Sequence, residues 1–299
     1  MKEEKNKFKA GFVNIIGNPN VGKSTFLNAM LQYDLAITTP KAQTTRHRIL
    51  GIDNGPDYQI VYSDTPGIIK PAYELQKYMM YHVEESLEDA DIVLLMVTPE
   101  ESEIKDERIF EKLNALSVPV MILINKIDLT NQEKLEKITE YWKNKIPRAE
   151  IFPVSALLGF GLDQVKKRIL ELLPENPPYF DTDQLTDKNE RFLVSEKIRE
   201  KILQFYKKEI PYSVEVEVEE FKESENLIKI RAIIYVERDS QKGIIIGHKG
   251  SGLKRIGTEA RKDLEKLFGK KLFLDLYVKV RKNWRKDNTW LKRFGYKRK

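Results

Sequence analysis

The first 173 residues alternate short apolar runs with stretches of helical period. FVNIIG (12–17), HRILGID (47–53), YQIVYSD (58–64), DIVLLMVT (91–98), VPVMILIN (118–125) and EIFPVSA (150–156) read as strands. Between most of them lie segments such as KSTFLNAMLQ and ERIFEKLNAL, whose apolar positions recur three and four residues apart, as on an amphipathic helix. Near-continuous apolar strands separated by helices predict a mostly parallel sheet covered on both faces. Ligands of such sheets bind beyond the carboxyl ends of the strands.

The rhythm stops at LLPENPPYFDTDQLTD, residues 172–187, where three prolines and four acidic residues fall with little periodicity. This stretch predicts a linker, semi-rigid around Pro177 and Pro178. A different pattern follows. Residues 188–208 have helical period, with Phe192, Ile198, Ile202 and Phe205 on one side. YSVEVEVEEF alternates valine and glutamate at a period of two, a half-exposed strand. NLIKIRAIIYVER predicts a second strand, KGIIIG a short helix, SGLKRIGTEARKDLEKLFG a longer helix and KLFLDLYVKV a third strand. The predicted order is α-β-β-α-α-β, and no internal repeat is visible. The expected domains are residues 1–173 and 188–299, joined by a linker at 174–187.

Composition adds bounds. With 299 residues, 41% of them hydrophobic, two packed cores are expected. Cysteine is absent, which removes disulfides and thiol chemistry and fits a reducing cytosol. The charged opening MKEEKNKFKAGF lacks the apolar stretch of a signal peptide. No apolar run approaches the roughly 18 residues of a membrane span. The net charge of +6 is unevenly placed: from Lys270 to Lys299 there are twelve Lys or Arg against two Asp. Such a block predicts a polyanionic partner, nucleic acid or an anionic membrane surface.

Chemistry enters with GNPNVGKS, Gly17-Asn18-Pro19-Asn20-Val21-Gly22-Lys23-Ser24, followed by Thr25. It matches the phosphate-loop pattern after a strand and before a helix. Glycines let the backbone wrap close, so that N–H groups point at phosphate oxygens. Lys23 would reach the β and γ phosphates, an electrostatic catalytic role, and Ser24 would ligate Mg²⁺. Asp64-Thr65-Pro66-Gly67 ends a strand; Asp64 would hold the metal shell and the Gly67 N–H would sense a γ-phosphate. The end of the strand at 118–125 carries Asn125, Lys126 and Asp128. Asp128 can accept from guanine N1–H and the 2-amino group, whereas adenine would leave it facing a lone pair, an unmatched group costing about 1–3 kcal/mol. Asn125 and Lys126 would brace the loop and pack the base. Ser155-Ala156-Leu157 would offer backbone N–H to guanine O6. GTP or GDP with Mg²⁺ is therefore the expected ligand.

These motifs resemble the translation-factor-type branch of P-loop GTPases over residues 12–173, and KAQTTRHR (41–48) resembles the first switch segment of the Era family. The resemblance implies that Thr44 or Thr45, with Thr45 favoured, reaches the metal and γ-phosphate. Ile68 stands where Ras-like enzymes carry a water-orienting glutamine. Isoleucine has no donor or acceptor, so slow intrinsic hydrolysis is expected and no general base is identified.

A second glycine loop, Gly247-His248-Lys249-Gly250, lacks the following Lys-Ser/Thr pair and makes a poor nucleotide loop. It joins two helices within the α-β-β-α-α-β order, an arrangement that resembles a type II KH domain, where such a loop clamps about four nucleotides of single strand. His248 and Lys249 would face phosphates, with Lys254 and Arg255 one turn on. Lys282, Arg285 and the tail's Trp284, Trp290, Phe294 and Tyr296 would add cations and stacking surfaces, with domain core as the alternative place for some of the rings. Taken together, the chain resembles the Era family, in the TrmE-Era-EngA-like branch: a Ras-like α/β P-loop NTPase domain followed by an α+β KH domain. That resemblance implies a monomeric, cytoplasmic GTPase, peripheral on the inner membrane in some settings. It would bind 16S rRNA of the 30S subunit near its 3′ end and assist small-subunit assembly. Its expected cycle is two-state, with GTP ordering residues 38–48 and 64–71 and resetting the RNA-binding domain. A membrane-associated signalling GTPase with a lipid-binding basic tail is the competing reading.

Overall fold

A computed structural model describes residues 8–101 and 103–297. The charged first seven residues and the last two of the basic tail lie outside them. The chain forms two compact units, Met1–Ala72 with Met79–Asp187, and Tyr73–Tyr78 with Lys188–Lys299.

The first unit runs β1 (Lys9–Ile16), α1 (Lys23–Leu31), β2 (Ile49–Asn54), β3 (Tyr58–Asp64), residues 79–88 of α2 (Glu74–Glu88), β4 (Ile92–Val97), α3 (Glu107–Ala115), β5 (Val120–Ile124), α4 (Gln132–Lys145), β6 (Glu150–Pro153) and α5 (Leu162–Leu172). The sheet order is β2-β3-β1-β4-β5-β6. Only β2 is antiparallel, pairing Ile52 with Val61 of β3. Parallel register (Ile15 with Asp64, Ile15 with Leu94, Leu95 with Ile122, Ile122 with Ile151) aligns five strand ends on one side. The loops after Ile16, Asp64, Val97, Ile124 and Pro153 all emerge there, which is where the sequence motifs lie. β4 and β5 are buried at every position, as uninterrupted apolar strands require.

Residues 174–187, expected to be a linker, are a strap on this unit's edge. The Ala10 N–H donates to Pro174 O (3.2 Å) and the Ile52 N–H to Leu185 O (2.9 Å). Gln59 Oε1 accepts from the N–H groups of Tyr179 (2.7 Å) and Phe180 (3.0 Å). Thr186 Oγ1 donates to Leu50 O (2.6 Å), and Asp187 Oδ1 accepts from the Leu50 N–H (2.9 Å). Backbone groups of an edge strand take such partners without any hydrophobic period in the strap, so no periodic signal marks it.

The second unit runs α6 (Glu190–Phe205), α7 (Ile210–Ser213), β7 (Glu215–Glu223), β8 (Leu227–Val236), α8 (Asp239–Ile246), α9 (Ser251–Phe268), β9 (Lys271–Val280) and α10 (Asn288–Arg293). β8 is central, antiparallel to β7 and parallel to β9, with Ile230 beside Leu274 and Ile234 beside Val278. Ile230, Ala232 and Ile234 pack with Ile198 and Ile202 of α6, Ile245 of α8, and Ile256, Ala260 and Leu264 of α9. The alternating residues Ile233 and Tyr235 face the other way and are also buried. Tyr235 meets Trp290 and Phe294 at ring-centroid distances of 5.4 and 5.2 Å, and Phe294 meets Trp284 at 5.5 Å.

That cluster corrects the reading of the tail. Trp284 and Tyr296 are fully buried. The Trp284 indole donates to Ser213 O (2.9 Å) and the Tyr296 hydroxyl to Glu215 Oε2 (2.7 Å). Trp284 and Tyr296 complete the core of this unit, Trp290 and Phe294 are half-buried beside them, and Arg281 and Arg293 lie over the Trp290 ring. An aromatic-and-cation pattern is the same whether the rings face bases or a second layer of core.

Candidate nucleotide site and nucleic-acid interface

The phosphate loop connects β1 to α1 through backbone that side chains cannot follow. Gly17 and Gly22 have φ of +153° and +103°. A Cβ on Gly17 would lie 2.2 Å from Met96 O, and one on Gly22 2.3 Å from Asn125 Nδ2. Asn20 is also left-handed, at φ 68°. Lys23 folds back over the loop and donates to Gly17 O (3.0 Å) and Asn18 O (2.9 Å). Burial depresses its pKa to about 8, against the opposing pull of Asp64 and Glu101. Beside it opens a cavity of about 670 Å³, lined by Pro19, Asn20, Lys23, Ser24, Thr25, Thr45, Gly67, Lys126 and Leu157 among others.

Three oxygen donors converge at its base. Ser24 Oγ donates to Asp64 Oδ2 (2.6 Å) and lies 2.9 Å from Thr45 Oγ1, which lies 3.1 Å from the same carboxylate oxygen. Asp64 Oδ1 is buried and has no hydrogen-bond partner among the described residues. Burial pushes the Asp64 carboxyl upward, partly countered by Lys23 and by hydrogen bonds from Ser24, Thr45 and Thr65. An all-oxygen set with an unpartnered carboxylate oxygen fits a hard divalent cation such as Mg²⁺. Thr44 turns elsewhere: its hydroxyl donates to Lys41 O (2.7 Å) and meets Thr39 Oγ1 (2.6 Å).

Around the loop after β3, Thr65 Oγ1 donates to Ile15 O (2.7 Å), and Pro66 and Gly67 are buried against the phosphate loop. The Ile68 N–H donates to Gly17 O (3.0 Å) and its side chain is fully buried in the apolar core. It therefore packs the sheet and leaves water uncoordinated.

The base end is braced across three loops. Asn125 donates from Nδ2 to Val21 O (2.8 Å) and accepts at Oδ1 from the Ala156 N–H (2.9 Å). Lys126, left-handed at φ 63°, reaches Asn20 O (2.6 Å). Ser155 Oγ donates to Asp128 Oδ1 (2.6 Å), which holds that exposed carboxylate in place. Of the Ser155–Leu157 backbone expected to face guanine O6, the Ala156 N–H is held by Asn125. Leu157 is 77% exposed at the cavity rim.

In the second unit, Gly247 (φ 70°, ψ 176°) ends α8, and a Cβ on it would lie 2.8 Å from Gly252 N. His248 and Lys249 project into solvent from a single 3-10 turn, with Lys249 left-handed at φ 49°. Gly250, at φ +80°, opens α9 with nothing near its missing Cβ. A groove of about 320 Å³ follows, between Gly250, Lys254, Gly257, Thr258 and Arg261 on α9 and Phe273, Leu274 and Leu276 on β9. Lys254 thus joins the glycine loop. Arg255 lies on the neighbouring face, its guanidinium 4.0 Å from the Phe205 ring centre. Arg285 forms an ion pair with Glu237, and Lys282 is exposed; neither lines the groove. Gly257, Thr258 and Arg261 were not foreseen. They repeat Gly250 and Lys254 at helical spacing, so following one face of α9 from the glycine turn would have found them.

Comparison with known proteins agrees with this geometry. The family described as "50S ribosome-binding GTPase" matches residues 12–126, and the family "KH domain" matches residues 209–285. "GTPase Era" of Thermoanaerobacter pseudethanolicus is 45% identical over 291 residues, 96% of each chain. That of Geobacter metallireducens is 48% identical over 295 residues, 97% of this chain and 99% of its own. A crystal structure of Era in complex with MgGDPNP and nucleotides 1506–1542 of 16S ribosomal RNA superposes with a TM-score of 0.93. It is 40% identical and covers 97% of this chain and 99% of its own. A variant of Aquifex aeolicus Era bound to GDP·AlF4⁻ matches with the same TM-score, identity and coverage.

Proposed function

Because the chain belongs to the Era family of GTPases, we propose that it is a GTP-hydrolysing assembly factor of the small ribosomal subunit. Its KH unit would clamp 16S rRNA near the 3′ end. The observation that carries this is one chain holding both a metal-ready phosphate site and a glycine loop opening onto an α9–β9 groove. The RNA assignment is supported by the Era complex with 16S nucleotides, an RNA of the small subunit.

GTP hydrolysis needs positioning and charge stabilisation more than covalent chemistry from the protein. The N–H groups around Gly22 cradle the phosphates, and Lys23 supplies positive charge to the β and γ groups. Ser24, Thr45 and Asp64 would hold Mg²⁺, which neutralises phosphate charge when bound. The Gly67 N–H reads the γ-phosphate. Asp128, fixed by Ser155, selects guanine. With Ile68 in the core, the attacking water has no side-chain guide at that position, and slow turnover follows.

The functional boundaries we assign are 1–173 for GTP, 174–187 as connector and 188–299 for RNA, acting as a monomer in the cytoplasm. Gly247, His248, Lys249, Gly250 and Lys254 make the phosphate clamp, and Arg255, Lys282 and Arg285 add positive charge around it. Membrane recruitment by the tail is disfavoured because Trp284 and Tyr296 are fully buried and Trp290 and Phe294 are half-buried against Tyr235. Among the described residues no helix is long and apolar enough to cross a membrane.

The test is salt-titrated binding to single-stranded RNA carrying the 16S 3′ sequence, and to anionic vesicles, with GTP analogue or GDP present. RNA binding that differs between the two nucleotides supports the reading. Tight vesicle binding without RNA binding sinks it. Equal RNA affinity in both states removes the coupling between the two activities.

A further inference from the structure

Behind the phosphate loop sits a carboxylate that phosphate binding does not require. The chain leaving β4 turns at Thr98–Glu101, with the Glu101 N–H donating to Thr98 O (3.0 Å). The Asn18 side chain pins this turn to the phosphate loop. Its amide nitrogen donates to Glu103 O (2.8 Å) and lies 3.5 Å from Glu101 Oε1, and its oxygen accepts from the Lys105 N–H (3.1 Å). Asn18 also offers its backbone carbonyl to Lys23 Nζ at 2.9 Å. One residue therefore bridges the phosphate lysine and Glu101. Glu101 Oε2 is buried and accepts no hydrogen bond from the described residues.

We infer that Glu101 is an internal counter-charge for Lys23 that biases the site against the γ-phosphate, and so sets the preference between GTP and GDP. The inference rests on Lys23 being the phosphate lysine.

A buried carboxylate oxygen left without a donor costs stability. What holds it is positive potential: burial pushes the Glu101 carboxyl upward, while Asn18, Lys105, Lys23 and Lys126 oppose that shift. In the nucleotide-free protein this charge, after that of Asp64, eases the burial of Lys23. When nucleotide enters, the same negative charge repels its phosphates. GTP carries one more negative charge than GDP, so it meets the larger penalty. Asp64 has the same sign, but the metal it would hold neutralises it. Glu101 is no part of that metal's ligand set, and Asn18 and nearby lysines offset its charge only in part.

The test is Glu101→Gln, which keeps shape and the approach to Asn18 while removing charge. Glu100→Gln, at an exposed neighbouring position, is the control. Affinities for fluorescent GDP and a non-hydrolysable GTP analogue are measured with Mg²⁺ on the full chain, and thermal melts check folding. Removing one unit of fixed charge is expected to tighten the GTP analogue about 5-fold and GDP about 2-fold or less, with Glu100→Gln unchanged in both. Raising salt should shrink the effect. Equal tightening of both nucleotides, no change, or weakening in a folded Glu101→Gln protein overturns the inference. If the wild-type chain binds neither nucleotide, the assignment of Lys23 itself fails, a distinct result.

Discussion

The two glycine loops use the same backbone freedom for opposite shapes. Around Gly17 and Gly22 the protein closes in: a Cβ at either would lie within 2.3 Å of another atom, and Lys23 is buried. Around Gly250 there is open space, and His248 and Lys249 stand in solvent. The first is a concave mould for one compact triphosphate, with its charges fixed before the ligand arrives. The second is a convex tip beside a groove, suited to a phosphate chain that enters and leaves. Mould and tip should therefore differ in how sharply they respond to substitution.

The mould should break first and hardest. Gly22→Ala adds a methyl 2.3 Å from Asn125 Nδ2 at a φ of +103°, and so disturbs both the phosphate loop and the base brace. A misplacement of this kind is expected to lower GTP hydrolysis at least 100-fold, measured as phosphate release, while RNA binding by the second unit persists. Less severe is Asp128→Asn, which keeps an acceptor for N1–H but places a donor opposite the guanine 2-amino group, where xanthine offers an oxygen acceptor, and loosens the Ser155 contact. Discrimination between GTP and xanthosine triphosphate should shift by about 10–100-fold in competition binding, with melting unchanged. Unchanged discrimination would remove Asp128 from base recognition.

The tip should respond in graded fashion. His248→Asp with Lys249→Asp places two like charges against the phosphate chain and touches no core atom. RNA affinity is expected to fall about tenfold or more, with a shallower dependence on salt. GTP hydrolysis without RNA should stay at the wild-type rate, because these side chains belong to the second unit. A fall in RNA-free hydrolysis would contradict that separation.

The same contrast explains what the sequence disclosed. Strand ends of the first unit were legible because uninterrupted apolar runs such as residues 92–97 fix a buried parallel sheet, and motifs after such runs must share one edge. The α-β-β-α-α-β order was legible from period alone. Three features were not. The 174–187 strap is held by single backbone and amide hydrogen bonds, which impose no pattern. The tail's rings gave a pattern that fits either core or stacking surface, and only the contacts of Tyr235 decide it. Glu101 belongs to no motif; it reaches the site because Asn18 points backward, away from the phosphates.

A smaller effect separates a buried lysine from exposed cations. Lys23 sits near pKa 8 in the nucleotide-free protein, below the ordinary 10.5, because burial disfavours its charge. Bound phosphates favour the ammonium and raise that value. Below about 8 the lysine is charged before and after binding, and affinity is insensitive to pH through this group. Above it, binding must take up a proton, so affinity falls as pH rises, approaching tenfold per unit. Between pH 7 and 8.5 the expected loss is about fourfold, read as the dissociation constant of fluorescent GDP. Fold stability moves the other way: between about 8 and 10.5 the unfolded chain holds this proton and the folded one does not, so the nucleotide-free protein gains stability from this group as pH rises. Lys23→Gln should weaken binding throughout and flatten both slopes. A wild-type affinity that stays constant to pH 9 would mean that the ammonium is satisfied in the empty loop, and the mould is less dry than its burial implies.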